Sequence, residues 1–140
     1  MQKQQEGRAY LIKLVDQNDS NTILHLACEH HHLTLVTWLL QQQSRLVVNM
    51  SNREGKTAFF VACEKGFSDI VKVMLLSRST TQPLLDVNLG SISYSPLMIA
   101  CKGGHIGVVK ELLERGGDKV DVNRVISGSA LTNACDSGNM

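Results

Sequence analysis

The chain has 140 residues, one domain's worth, of which 43% are hydrophobic and only 4% aromatic, so its core must rest on Leu, Val, Ile and Ala. The net charge of +1 gives no basic excess for binding nucleic acid and no acidic tail. No apolar run approaches the roughly 18 residues of a membrane span, and the opening MQKQQEGRAY lacks the apolar stretch of a signal peptide.

Residues 1–20 carry Tyr10, Leu11, Leu14 and Val15, whose i, i+1, i+4, i+5 spacing predicts a helix with one apolar stripe. Seven positions after Val15, the segment TILHLAC (Thr22 to Cys28) begins. Thr22 suits a helix N-cap, because its oxygen can accept an orphan backbone N–H. Leu24 supplies an apolar anchor, and Ala27 is small enough to let another helix approach. His31 stands four residues after the alanine, where the chain must turn; histidine tolerates positive φ better than most residues. Leu35, Val36, Leu39 and Leu40 form a second helical stripe. VVN (Val47 to Asn49) reads as extended and NREG (Asn52 to Gly55) as a tight turn.

The same order then recurs. TAFFVAC (Thr57 to Cys63) ends at Gly66, and Ile70, Val71, Met74 and Leu75 follow. The polar stretch SRSTTQPLL (Ser77 to Leu85) is expected to be a mobile loop before DVN (Asp86 to Asn88). SPLMIAC (Ser95 to Cys101) has Pro96 at the first helical position, where a missing N–H does no harm. Gly104 ends that helix, with Val108, Val109, Leu112 and Leu113 next and a second DVN at Asp121 to Asn123. SALTNAC (Ser129 to Cys135) and Gly138 start the pattern a fourth time, just before Met140. Glycine suits each helix end because it accepts the left-handed conformation.

One ruler runs through all of this. Ala27, Ala62, Ala100 and Ala134 lie 35, 38 and 34 residues apart, and Cys28, Cys63, Cys101 and Cys135 follow them directly. A period of roughly 33 residues marks a repeat architecture. No single helix pair can bury its own stripe, so the units must stack. Equivalent positions in stacked units point the same way. The cysteines are therefore expected to be reduced packing residues of an intracellular protein rather than two disulfides.

These segments resemble ankyrin repeats, whose pattern is T-P-L-H-x-A, then Gly-His, then Ile-Val-x-x-Leu-Leu, then Ala-Asp-Val-Asn. The match runs from about Asn21 to Met140. The family's second alanine is Cys in every copy, and its histidine survives as His25, with Phe60, Met98 and Thr132 in its place elsewhere. The resemblance implies an all-α solenoid of stacked antiparallel helix pairs with short β-hairpin or turn fingers. It divides the chain into a capping helix (1–20), repeats at 21–55, 56–93 (with the long loop 77–85) and 94–127, and the first half of a fourth repeat at 128–140. From the last helix-two leucine to the Val-Asn asparagine the chain counts 9, 13 and 10 residues, where the family expects about 7. The fingers shorten along the array, with 8, 7 and 6 residues from that asparagine to the next cap. The fourth copy stops before its second helix, so the array is expected to continue into further repeats of a longer protein.

Catalytic and metal chemistry read poorly. His25, His30, His31 and His32 surround Cys28, yet a tetrahedral zinc site needs ligands converging from separate elements. His30 is expected on the surface, with His31 and His32 in the loop between helices. A nucleophilic cysteine needs an activating base and exposure, which an alanine-like packing position denies. GGHIG (Gly103 to Gly107) follows no strand and so is no phosphate loop.

The resemblance implies a non-catalytic module that binds another protein, with no cofactor, no nucleic acid and no membrane insertion. The expected location is the cytoplasm, with the nucleus open. The finger tips and the exposed side of helix one would meet the partner. By position these are Asn18, Asp19, Asn21, Glu29 and His30; Arg53, Glu54, Lys56, Glu64 and Lys65; Ser91, Ile92, Tyr94 and Lys102; and Val125, Ile126, Asp136 and Ser137. The first two sets carry mixed charge and amide groups, and the last two carry Ile92, Tyr94, Val125 and Ile126. Aliphatic and aromatic anchors dominate interface energy, so the second half is expected to anchor the partner. The host could be a scaffold or adaptor, a larger enzyme or channel, or a bacterial effector.

Overall fold

The computed structural model describes residues 18–41, 48–77, 85–91, 93–116 and 120. Three helix pairs stack in register. The first helices are α1 (Ile23–Glu29), α3 (Ala58–Lys65) and α5 (Pro96–Lys102). The second helices are α2 (Leu33–Leu40), α4 (Ser68–Ser77) and α6 (Ile106–Glu111), the last running into a π-turn at Leu112–Gly116. First helices pack on first helices (α1 on α3 on α5) and second on second (α2 on α4 on α6). The architecture is thus an all-α solenoid.

Each first helix begins as the hydroxyl residues predict. The side-chain oxygens of Thr22, Thr57 and Ser95 accept the backbone N–H of His25, Phe60 and Met98, at 3.3, 3.1 and 3.2 Å. All three caps are buried, so each is worth about 1 kcal/mol. The helix ends explain the Ala-Cys ruler. The residue after the turn sends its N–H back to the alanine carbonyl: His32 to Ala27, Phe67 to Ala62, His105 to Ala100, all at 2.9–3.0 Å. The turn residue bonds the cysteine carbonyl: His31 to Cys28, Gly66 to Cys63, Gly104 to Cys101. These paired bonds satisfy two of the carbonyls a helix end leaves orphaned, and they demand a left-handed turn residue. His31, Gly66 and Gly104 have φ of 57, 78 and 70°.

The alanines and cysteines themselves face the stack. Ala27, Cys28, Ala62, Cys63 and Ala100 are all at most 1% exposed, and Cys101 is 9% exposed. The second helices bury Val36, Leu39 and Leu40, then Ile70, Val71, Met74 and Leu75. Full burial of each large side chain contributes roughly 1.5–3 kcal/mol. In the third unit only Val108 and Leu112 of the predicted stripe are buried, while Leu113 is 49% exposed. Leu40 and Leu75 lie in units that have another described helix pair packed against them on the C-terminal side, and Leu113 does not.

The fingers are turns held by side chains, with a β-bridge between Ser51 and Thr57 and no strand among the described residues. Asn52 organises its finger. Its Oδ1 accepts the N–H of Glu54 and of Lys56, and its Nδ2 donates to Asn21 of the preceding finger at 2.9 Å. The predicted capping helix, the loop 78–84 and the fourth copy lie outside the described residues.

Candidate functional site

His25 sets the entry to the face formed by fingers and first helices. Its Nδ1 accepts from the Thr22 backbone N–H at 3.1 Å, so the ring proton sits on Nε2 and is donated to the Lys56 carbonyl of the next finger at 2.8 Å. Phe60 and Met98 take the same position in the later units and are buried there as apolar packing. The joint between the second and third units uses a different bond, from the Thr57 hydroxyl to the Leu89 carbonyl at 3.2 Å.

In front of the first joint lies a cleft of about 160 Å³. It is lined by Asp19, Asn21, Glu29, Glu54, Lys56, Glu64 and Lys65, seven of the residues expected at a partner surface, together with His25, Asn52 and Val61. Fingers supply Asp19, Asn21, Asn52, Glu54 and Lys56, and α1 and α3 supply the rest. Lys56 is the centre. Its ammonium lies 2.9 Å from Glu54 and 3.1 Å from Glu64, and 6.0 Å from the centroid of the Phe60 ring. Partial burial works against its charge, but hydrogen bonds and the charges of Glu54 and Glu64 outweigh this and hold its pKa above the usual lysine range.

The remaining expected residues fall outside this cleft. Asn18, His30 and Arg53 are exposed, and Ser91 is half-buried. Lys102 donates to the Tyr94 hydroxyl at 2.6 Å and lies 4.6 Å from the centre of its ring. Tyr94 is itself partly buried and packed against the core. Ile92, Val125, Ile126, Asp136 and Ser137 lie outside the described residues. The sequence reading missed His25, Asn52 and Val61 as lining of this cleft. Val61 stands four residues after the Thr57 cap and three before Glu64, an i, i+3 spacing that puts the pair on one helix face and was legible.

The chemistry available here is recognition. Burial pushes the Cys28 thiol up to about 12 and raises Cys63 well above its usual value, with Cys101 also raised by burial. None of the three is an activated thiolate. Among the described residues no group of three or more His, Cys, Asp or Glu side chains is placed to hold a metal. His31 instead turns to the next unit: it stacks on Phe67 at 4.3 Å and bonds Asp69 at 2.8 Å.

A family model described as ankyrin repeats in three copies matches residues 4–84, and a single ankyrin repeat matches residues 93–125. The chain is 32% identical over 130 residues to the ankyrin repeat-containing protein ITN1 of Arabidopsis thaliana, a match covering 79% of this chain and 22% of that protein. It is 32% identical over 97 residues to the tyrosine-protein kinase HTK16 of Hydra vulgaris, covering 69% of this chain and 12% of the kinase. Inversin of Danio rerio is 38% identical over 72 residues, 49% of this chain and 7% of that protein. The chain thus spans less than a quarter of the length of each of these relatives.

Proposed function

The chain belongs to the ankyrin repeat family, and we propose that it acts as a non-catalytic scaffold or adaptor segment that meets a protein partner on its fingers and first helices. Ankyrin repeats are in general protein–protein interaction modules. The observation that carries the reading is the cleft at the first two units, where seven residues chosen by repeat position converge. Its groups are polar, held by fixed backbone turns, and presented by a rigid stack, so binding orders little chain. Three cysteines buried as free thiols fit a reducing, intracellular setting.

A photo-crosslinking residue at Lys65, on this face, tests the proposal against one at Lys72, on the exposed side of α4. Partner adducts should form from position 65, and a Glu54→Ala, Lys56→Ala background should lose them. Adducts from position 72 alone would refute this face. A second reading, in which the segment regulates an enzyme carried elsewhere in a longer chain, draws on the similarity to the Hydra kinase. The full reading frame decides between the two hosts.

A further inference from the structure

The third unit has no described helix pair on its C-terminal side. A largely apolar groove of about 280 Å³ opens there, lined by Ala100, Cys101 and Gly104 at the end of α5 and by Ile106 and Val109 of α6. In the first two units the matching side is taken by the next first helix, α3 on α1 and α5 on α3. Ala27, Cys28, Ala62 and Cys63 are buried there, and the turn at Gly66 lies under His105. The register of the chain carries on past α6. Val120 is buried at the place that Leu85 takes one unit earlier, two positions before the valine of Asp-Val-Asn. The cap Ser95 lies ten positions after Leu85, and Ser129 lies nine after Val120. Nine residues reach up to about 30 Å, more than the roughly 8–10 Å between packed helices, so the chain is long enough to place Ser129 at a cap on that side.

Two positions of the first helix tell its sides apart. That of Ile23, Ala58, Pro96 and Ala130 turns back to the preceding unit: Ala58 and Pro96 are buried, while Ile23, with no described unit before it, is only partly so. That of His25, Phe60, Met98 and Thr132 turns forward. His25 donates to the Lys56 carbonyl in the next finger, and a Cβ on Gly90 in the following finger would lie 3.0 Å from the Phe60 ring. In the fourth copy the backward position keeps a small apolar alanine, and the forward position carries a hydroxyl. We infer that residues 129–139 dock on the C-terminal side of α5 as a single capping helix, with Ala130 against the groove and Thr132 turned away from it. A stacked array needs an end whose outer side is polar, and this segment has that division. The cover is half a unit wide, so it takes the α5 side of the groove and leaves Leu113, 49% exposed, outside it. This contact lies apart from the finger face proposed for a partner.

Amide hydrogen exchange read by NMR on the intact 140-residue chain tests this, with Ala130→Asp and Thr132→Asp as a matched pair. Both substitutions fall in the first turn after Ser129, where a carboxylate favours a helix, so they differ in which side receives the charge. In the parent, the amides of residues 133–136 should exchange at least about tenfold more slowly than in a free peptide of the same sequence. Ala130→Asp puts an unpaired charge against the groove. It should remove that protection and speed thiol labelling of Cys101 about tenfold, with exchange in α1 to α4 unchanged. Thr132→Asp should change neither readout by more than about twofold. Unprotected amides in the parent, equal effects of the two substitutions, or lost protection with Cys101 unaffected would each overturn docking on α5. Protection that rises with protein concentration would give the groove to a second copy and overturn it as well.

Discussion

The ring of His105 lies directly over Gly66, and this makes Gly66→Ala the sharpest test of how the units are joined. Gly66 has φ of 78°, and a Cβ there would sit 2.5 Å from Nδ1 of His105. The left-handed backbone alone costs an alanine roughly 1–2 kcal/mol. The methyl also drives the imidazole away, and that ring holds the inter-unit bond from Nε2 to the Glu64 carbonyl at 2.9 Å. Losing it adds about 1 kcal/mol. The sum is about 2–3 kcal/mol, a large share of the roughly 5–15 kcal/mol typical of a domain. Urea unfolding followed by circular dichroism at about 25 °C measures it. The double variant Gly66→Ala, His105→Ala separates the two parts. With the ring gone, the glycine substitution should cost only the backbone part, leaving a coupling of about 1 kcal/mol between the sites. A Gly66→Ala variant within about 0.5 kcal/mol of the parent, or strict additivity in the double variant, would show that the ring does not close this joint.

Asp69 gives an acid-limb prediction. Partial burial opposes its ionisation, yet hydrogen bonds from His31 and from the Ile70 N–H prevail and hold its carboxyl below the usual 3.8. A depressed folded value adds stability that is present above 3.8 and is lost as pH falls through the lower, folded one. Asp69→Asn should therefore differ from the parent at about pH 6 and converge with it in strong acid; a constant difference across pH would refute the linkage. Native thiol labelling at about pH 8 should find Cys101 fastest of the three buried cysteines, because it is 9% exposed and the other two are fully covered. Rapid labelling of Cys28 or Cys63 without denaturant would contradict the packing. Asn52→Ala removes three side-chain hydrogen bonds from one finger and should cost about 1–2 kcal/mol by equilibrium unfolding. An unchanged midpoint would mean that the finger holds its shape without them.

What the sequence revealed was whatever repeats. Caps at Thr22, Thr57 and Ser95, turns at His31, Gly66 and Gly104, and stripes such as Ile70 to Leu75 are local demands of helix geometry. Each recurs at a fixed interval, so weak signals reinforce one another. The joints were less legible. Nothing near His25 in sequence points to Lys56, nor from Asn52 back to Asn21, because each bond spans 31 positions and depends on the stacking register. Val61 was passed over because apolar residues within a helix read as core, and at 7% exposed it is core as well as cleft lining. Only the stack reveals that this position lies beside the cleft. The surroundings of Tyr94 were likewise illegible: the sequence does not show that it lies partly against the core with Lys102 on its hydroxyl and ring.

The rings that cross the joints also give the stack a direction. Phe67 of the second unit lies on His31 of the first, and His105 of the third lies over Gly66 of the second. In both joints the helix-end turn belongs to the N-terminal unit and the covering ring to the C-terminal one, so the two faces of a unit are not interchangeable. Separating either joint uncovers a helix-end turn on one side and a ring on the other.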